Sequence, residues 1–495
     1  MTELLQGFAQ ASHWSVLACI AAGAVIGIVV GVLPGIGPGV GISVLLPLTY
    51  GMSPLAGLAI LLGVYCGAFY GGAVTSILIR TPGEASSIMT MFDGYPMARR
   101  GEAERALSLA FASAFAGGMV SALALALAAP PLAAFTGHFG AADNAAAIIL
   151  ALVCVMSAYR GRFLAAMTMV GAGCFVATVG IDPVSNGQRF TFGATDLMSG
   201  LPLVPIVVGL FGVAQALVLI SSPAVKVDPV SAGGLRLKAF AEPLRYPGTL
   251  SKSVTLGTLI GVLPAAGAAL STSLAYFEAR RASKNPDSFG KGNPEGIVAA
   301  EAANNSNSGG AMVTVLTLGI PGDAITAIIM GVFIVHGIAP GPNLFVERPE
   351  LVYGVFASLV YINLAILAIL VASTRWLAMF TRVDPHLLGV GILLLCFIGA
   401  YSTSNSMYSV WLALGAGVFG WLCAMAGMPI VPMVLGMVMG DALEASLRQA
   451  LAVSGGSPAV FVERPVSAVL IALAALILFA TVFRRRKARP VLEAS

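Results

Sequence analysis

Apolar runs occupy Ser15–Leu33, Leu55–Tyr70 and about 106–130, 144–158, 163–180, 201–220, 351–372, 387–400, 407–426 and 428–440, with a last helix over Val466–Phe483. A membrane-spanning helix needs ~20 such residues. Counting breaks as well as spans, the pattern predicts roughly 11–13 membrane elements. The interruptions are regular: Leu33–Gly39 (LPGIGPG), Gly71-Gly72, Thr81-Pro82-Gly83-Glu84, Leu263–Gly267 (LPAAG), Gly309-Gly310 and Pro321-Gly322. Glu301–Asp323 is the most unusual stretch. It sets Asn304, Asn305, Ser306, Asn307 and Ser308 before the double glycine, then an apolar arm, then Pro321-Gly322-Asp323. Irregular backbone at membrane depth persists only where protein or a watery cavity surrounds it, and polar side chains there mark functional sites. The alternative is a surface loop, since Asn, Ser and Gly form turns.

Composition agrees with the pattern. Hydrophobic residues make up 58% of the 495 and charged residues 10%, against about 25% charged in soluble domains. The expected fold class is therefore an all-α polytopic membrane protein. A net charge of +4 is no nucleic-acid signal, because the basic residues sit in short loops. The six cysteines (Cys19, Cys66, Cys154, Cys174, Cys396, Cys423) lie in or beside apolar runs without metal-ligand spacing, and read as small hydrophobes. The N-terminus carries Glu3 and no Lys or Arg before the first run, so it lacks the positive region of a cleaved signal peptide.

The chain is an internal duplication. GVLP at Gly31–Pro34 returns at Gly261–Pro264, an offset of 230 (261 − 31). GLPLVPIVVGL at Gly200–Leu210 returns as GMPIVPMVLGM at Gly427–Met437, an offset of 227 (427 − 200). GGAVTSILIRTPGE at Gly71–Glu84 matches GGAMVTVLTLGIPGD at Gly309–Asp323 with one residue inserted. The domain reading is a repeat-one membrane half at 1–221, a cytoplasmic linker at 222–252, a repeat-two half at 253–443, and an extra helix with a basic tail at 444–495.

Charge orients the halves. The linker (Lys226, Arg236, Lys238, Arg245, Lys252) and the tail RRRKAR are the richest basic segments, which places both in the cytoplasm. One extra helix between the second repeat and that tail then inverts the halves. The loop Asp93–Arg105, with Arg99, Arg100 and Arg105, faces Gly337–Glu350, which has only Arg348 against two glutamates. If 252 and 280 are both cytoplasmic, Ser253–Ala279 enters and leaves on one side; its 27 residues (279 − 253 + 1) are too few for two spans of ~20. It should be a re-entrant hairpin with LPAAG at its tip and Leu33–Gly39 as the repeat-one counterpart. Inverted repeats with broken helices meeting near the midplane are the layout of secondary transporters.

At its motifs the chain resembles the large membrane subunit of the tripartite tricarboxylate transporters (the TctA family). The matching residues are GVLPGIGPG (Gly31–Gly39), YGGAVTSILIRTPGEASSIMTMFDGYPMARRG (Tyr70–Gly101), FGKGNPEGIVAAEAANNSNSGG (Phe289–Gly310), LTLGIPGD (Leu316–Asp323) and HGIAPGP (His336–Pro342). The resemblance implies a bacterial inner-membrane importer of an organic di- or tricarboxylate such as citrate. It further implies a periplasmic solute-binding protein and a small membrane subunit as partners, and Na+ as the coupling ion, with no cofactor. Two positions depart from the family pattern. The second hairpin reads LPAAGAALST in place of a PGAGAD-like tip, with Ala269 or its neighbour in an acidic position, and Thr314 stands where proline is common.

The candidate substrate-binding residues are Asn304, Asn305, Ser306, Asn307, Thr317, Pro321, Gly322, Thr75, Ser76, Arg80, Thr81 and Pro82. The candidate coupling-ion residues are Gly35, Gly37, Pro38, Gly39, Gly267, Ser271, Asn305 and Asp323. Half-helix N-termini attract anions, and unwound carbonyls hold cations. Each has a plainer reading. Arg80 can pair with Glu84; Asp323 and Glu84 can cap helices; hydroxyls in membrane helices often bond their own backbone. His336 and His386 read as interfacial, and the FVERP copies at Phe345–Pro349 and Phe461–Pro465 as interfacial turns. The competing function is an intramembrane hydrolase built on a carboxyl pair such as Asp323 and Asp441, although Ala214 occupies the position related to Asp441 by duplication.

Overall fold

The computed structural model of the chain describes residues 2–159, 161–182, 185–222, 230, 234–264, 266–380 and 383–483. The RRRKAR tail and part of the 222–252 linker lie outside the described residues. The helices that matter are α1 (Thr2–Ala11), α2 (Trp14–Val32), α3 (Pro38–Leu45), α4 (Pro54–Ile79), α5 (Ile88–Met97), α6 (Ala103–Thr136), α7 (Ala141–Ala158), α8 (Phe163–Ala177) and α9 (Leu203–Ser221). They continue as α10 (Pro247–Val262), α11 (Gly267–Ala282), α12 (Pro294–Leu318), α13 (Ala324–Val335), α14 (Pro349–Phe380), α15 (Pro385–Ser404), α16 (Met407–Met425), α17 (Val431–Val453) and α18 (Pro465–Phe483). Among the described residues nine helices are long and apolar enough to cross a membrane. The protein is an all-α polytopic membrane protein.

Two compact units form, and each draws on both halves of the chain. One comprises Met1–Thr136 and Pro202–Leu422, the other Gly137–Leu201 and Cys423–Ser495. The boundary expected at 443/444 falls inside α17. In the second unit α17 packs on α7 and α8, and α18 packs on α7. A small antiparallel pair, Gly180–Ile181 with Gln188–Arg189, is fastened to α17 by charge. Arg448 donates to Asp182 at 3.1 and 3.2 Å, and Arg189 donates to Glu444 at 2.7 Å. Both FVERP copies fold alike: a one-turn helix (Leu344–Glu347; Val460–Glu463), an arginine, then a proline opening a long helix.

The first unit carries the duplication in its packing. α4 packs on α2 and α12 packs on α10, each crossing made by glycine. A Cβ built on Gly71 would stand 2.9 Å from the Cα of Gly31, and one on Gly310 would stand 3.0 Å from the Cα of Gly261. The hairpin helices are thus related by 230 residues (261 − 31) and the long arms by 239 (310 − 71). This sets the register. Gly71 corresponds to Gly310, without the inserted residue that aligning the glycine pairs demands. The expected hairpin is present as α10 packed on α11, Ala265 of its tip lying outside the described residues, and neither arm is long enough to span.

Two expectations are corrected. The Asn304–Ser308 stretch with Gly309-Gly310 is not unwound: it lies within the continuous, buried helix α12, as Gly71-Gly72 lies within α4. A helix satisfies its backbone internally where water is scarce, and the polar side chains bond it locally. Asn305 Nδ2 donates to the Glu301 carbonyl (3.2 Å), Ser306 to Ala303 (3.2 Å) and Ser308 to Asn305 (2.8 Å). The glycines serve close approach rather than unwinding. Likewise the loop expected at Asp93–Arg105 is helical, α5 running through a wide turn at Ala98–Glu102 into α6, with the bend taken by Gly101 at φ 82°.

Candidate functional site

The breaks fall where Pro-Gly placed them, at the C-terminal ends of α4 and α12. α4 begins with Ser53 capping and Pro54 at its first turn, and ends at Arg80 in the left-handed conformation, φ 55°. α12 begins with Asn293 accepting from the Glu295 N–H (2.9 Å) and ends at Gly319, φ 66°. Arg80 and Gly319 are equivalent positions (319 − 80 = 239). Each turn then folds back on its own repeat. A Cβ on Gly83 would lie 2.9 Å from the Cα of Gly72, and one on Gly322 would lie 2.7 Å from that of Ala311.

Behind the turns stand equivalent acids, Glu84 and Asp323, and each is held by the other repeat. Tyr65 in α4 donates to Asp323 Oδ2 at 2.5 Å, while Asn304 Nδ2 in α12 donates to Glu84 Oε1 at 3.3 Å. Tyr65 and Asn304 are themselves equivalent (304 − 65 = 239), so the two bonds form a reciprocal exchange. Helices follow the same rule: α11 packs on Ala85–Ser87, next to Glu84, and α3 packs on α13, which Asp323 opens. Asp323 also makes the expected cap, accepting from the Thr326 N–H (2.8 Å) while Thr326 Oγ1 receives the Asp323 N–H (2.9 Å). Glu84 instead accepts from Ser86.

Glu301, one turn before Asn304 in α12, is fully buried and accepts from Thr90 of α5. Glu84 lies within electrostatic reach of both Glu301 and Asp323. Among the described residues no cationic side chain is bonded to any of the three. Several buried polar atoms nearby lack a partner: Glu301 Oε2, Asn304 Oδ1, both amide atoms of Asn307, and the hydroxyls of Ser76 and Ser87. Orphans of this kind call for water, an ion or a ligand.

The remaining expected residues divide. Thr75, Thr317 and Ser271 bond their own helices, to Gly72, Val313 and Ala268. Thr81 and Pro82 are half-buried, and Pro321 and Gly322 are buried. Arg80 is exposed and its guanidinium lies 5.9 Å over the Tyr95 ring, so the alternative pairing with Glu84 is not made. At the hairpin tips, Gly35 (φ 78°) and Gly267 (φ 66°) need the freedom glycine has at positive φ. A Cβ at Gly35, Gly37 or Gly267 would meet nothing within 4 Å, so these tips are open rather than closely approached. Pro38 is buried at the start of α3, and Gly39 faces Phe211 and Ile328.

Sequence reasoning passed over Tyr65 and the part played by Glu301; pairing the arms at 239 residues would have set Tyr65 opposite Asn304. It also passed over Asp93, a buried brace at the foot of the site. Asp93 Oδ1 accepts from the N–H groups of Gly290, Gly292 and Asn293 (2.9, 2.8 and 2.7 Å), and Oδ2 from Tyr276 (2.7 Å). Arg100 grips the same loop through the Lys291 and Gly292 carbonyls.

The family model described as the tripartite tricarboxylate transporter TctA family matches residues 17–435. An uncharacterized 52.8 kDa protein in the TAR-I ttuC' 3' region of Agrobacterium vitis is 39% identical over 436 residues, 87% of this chain and 86% of the relative. An uncharacterized protein in the TAR-II ttuC' 3' region of the same organism is 36% identical over 218 residues, 44% of this chain and 90% of the relative. No solved structure matches significantly.

Proposed function

The chain belongs to the tripartite tricarboxylate transporter TctA family, and from that membership we propose that it imports an organic di- or tricarboxylate across the bacterial inner membrane as a secondary active transporter. Membership makes it a transporter's membrane component, not an enzyme, and implies partner subunits. The hydrolase reading falls with this, and Asp323 is engaged by Tyr65 and its own helix cap. In our reading the partners are a periplasmic solute-binding protein that delivers the substrate and a small membrane subunit, and Na+ drives the import.

The observation that carries the reading is the reciprocal hold on Glu84 and Asp323, each by the opposite repeat. Breaks that meet this way gather turn backbone, amides and hydroxyls from both halves, which suits alternating access around a central site. Uptake of a panel of labelled di- and tricarboxylates should appear in cells only when this chain, its small subunit and the matching binding protein are expressed together, and should require sodium. Uptake that persists without the binding protein, or without sodium, overturns that part of the reading.

We take the repeats to be inverted, on the charge bias of the loops. Single cysteines in place of Lys284 and Lys252 should be shielded from an impermeant thiol reagent outside the cell. Labelling of either from the periplasm would remove the inversion.

A further inference from the structure

We propose that Glu301 is a proton-binding site of the transport cycle, with Thr90 and Asn304 as its partners; the inference rests on the transporter reading above. Glu301 sits within α12 with no exposed surface, in a helix whose 22 buried residues run from Gly296 to Thr317. An ionised carboxylate so placed needs a cation or several donors, because desolvating a lone charge is expensive. It has one donor, Thr90.

The elements packed against α12 offer no compensating charge. On α6, Arg105 is held by Glu242 and Glu102 and no titratable residue follows from Ala106 to Thr136, and α13 has none. The tyrosines and thiol of α4 (Tyr65, Cys66, Tyr70) are neutral donors, and the turn before Ala85–Ser87 brings the acid Glu84. Asp323 is a further acid at the head of α13. On α5, Asp93 is taken by Tyr276 of α11 and the 290–293 backbone, and Tyr95 lies under Arg80. The cations of α10 and α11 are at the open ends, with Lys252 and Arg281 on Glu278 and Arg280 on the Pro286 carbonyl.

Three acceptors are left over along α12, the third being Asn307 Oδ1. Glu301 Oε2 and Asn304 Oδ1 are buried without partners, and side chains three residues apart are neighbours on a helix. One proton on Oε2 turns the first into a donor and supplies the second with the hydrogen it lacks. The other side of the same amide already donates to Glu84. Protonation of Glu301 therefore fixes the Asn304 amide, and the amide fixes Glu84 of the opposite repeat. When water reaches the site, the proton leaves Oε2 for that water, the Asn304 oxygen loses its donor, and the hold on Glu84 loosens.

Infrared difference spectroscopy of the purified chain tests this without substrate or partner subunits, so its failure is distinguishable from failure of the uptake assay. At neutral pH the wild type should show the carbonyl stretch of a protonated, buried carboxylic acid, lost as pH is raised. The band should be missing in Glu301→Gln and displaced in Thr90→Val, which removes only the hydroxyl donor. In cells, the pH dependence of uptake should flatten in Glu301→Gln. No protonated-acid band, a band unchanged in Glu301→Gln, or a Glu301 signal that responds to sodium and not to pH overturns the proposal. If Glu301→Gln does not purify as a monodisperse protein, Thr90→Val decides: a displaced band upholds the assignment and an unmoved band overturns it.

Discussion

Leucine at Gly310, or at its equivalent Gly71, is expected to remove the protein from the membrane fraction, and alanine at either to lower its thermal midpoint sharply. At Gly310 the new Cβ would stand 3.0 Å from the Cα of Gly261 and 3.1 Å from the Thr258 carbonyl carbon; at Gly71 it would stand 2.9 Å from both Gly31 Cα and Val32 N. These neighbours are backbone, so no rotamer change relieves the clash, and the helices must part. Overpacking a core costs about 1–3 kcal/mol where side chains can adjust. Here the whole crossing of α4 with α2, or α12 with α10, has to open, against a typical total stability of ~5–15 kcal/mol. Gly171→Ala is the control, because a Cβ there meets nothing within 4 Å and alanine favours the helix by about 1 kcal/mol. Thermal midpoints of the three alanine variants, read by fluorescence-detected size exclusion, should place Gly171→Ala at or above the wild type. Wild-type stability for either Gly71→Ala or Gly310→Ala would mean that the matched crossings do not hold the repeats together.

Much of this architecture was legible because glycine and proline act through the backbone, which is the same in any surroundings. Pro82-Gly83 and Pro321-Gly322 end their helices wherever they lie, and Ser253–Ala279, once charge sets both its ends on one side, is too short for anything but a hairpin. Residues with two uses were harder. Asn304–Ser308 can open a helix or bond back onto it, and burial on every side chose the second. Gly309-Gly310 can be a break or a crossing, and only Gly261 lying against Gly310 shows it to be a crossing. The reciprocal bonds to Asp323 and Glu84 span 258 and 220 residues. No local pattern carries them, because they exist only once two half-structures meet. The same holds for Asp93, whose carboxylate is satisfied by a loop about two hundred residues away.

Arg80→Gly should make the protein more stable and a poorer transporter. Arg80 ends α4 at φ 55°, where a side chain pays strain, while repeat two puts glycine in the same conformation at Gly319. Left-handed backbone costs a non-glycine residue roughly 1–2 kcal/mol. Glycine at 80 should therefore raise the free energy of unfolding by about 1 kcal/mol, less what the stacking on Tyr95 contributes. An arginine kept in a strained position points to work done by its side chain. The guanidinium is exposed, lies 5.9 Å over the Tyr95 ring, and carries donors in a fork that matches a carboxylate. The candidate site holds the acids Glu84, Glu301 and Asp323, and Arg80 is a cation next to its Thr81-Pro82 turn. If it pairs a substrate carboxylate, losing that contact costs ~1.5–3 kcal/mol, so KM for uptake should rise roughly ten- to a hundredfold or somewhat more. Arg80→Lys keeps the charge and the strain but loses the fork, and should fall between. Raised stability with an unchanged KM in Arg80→Gly would show that the side chain does not meet the substrate.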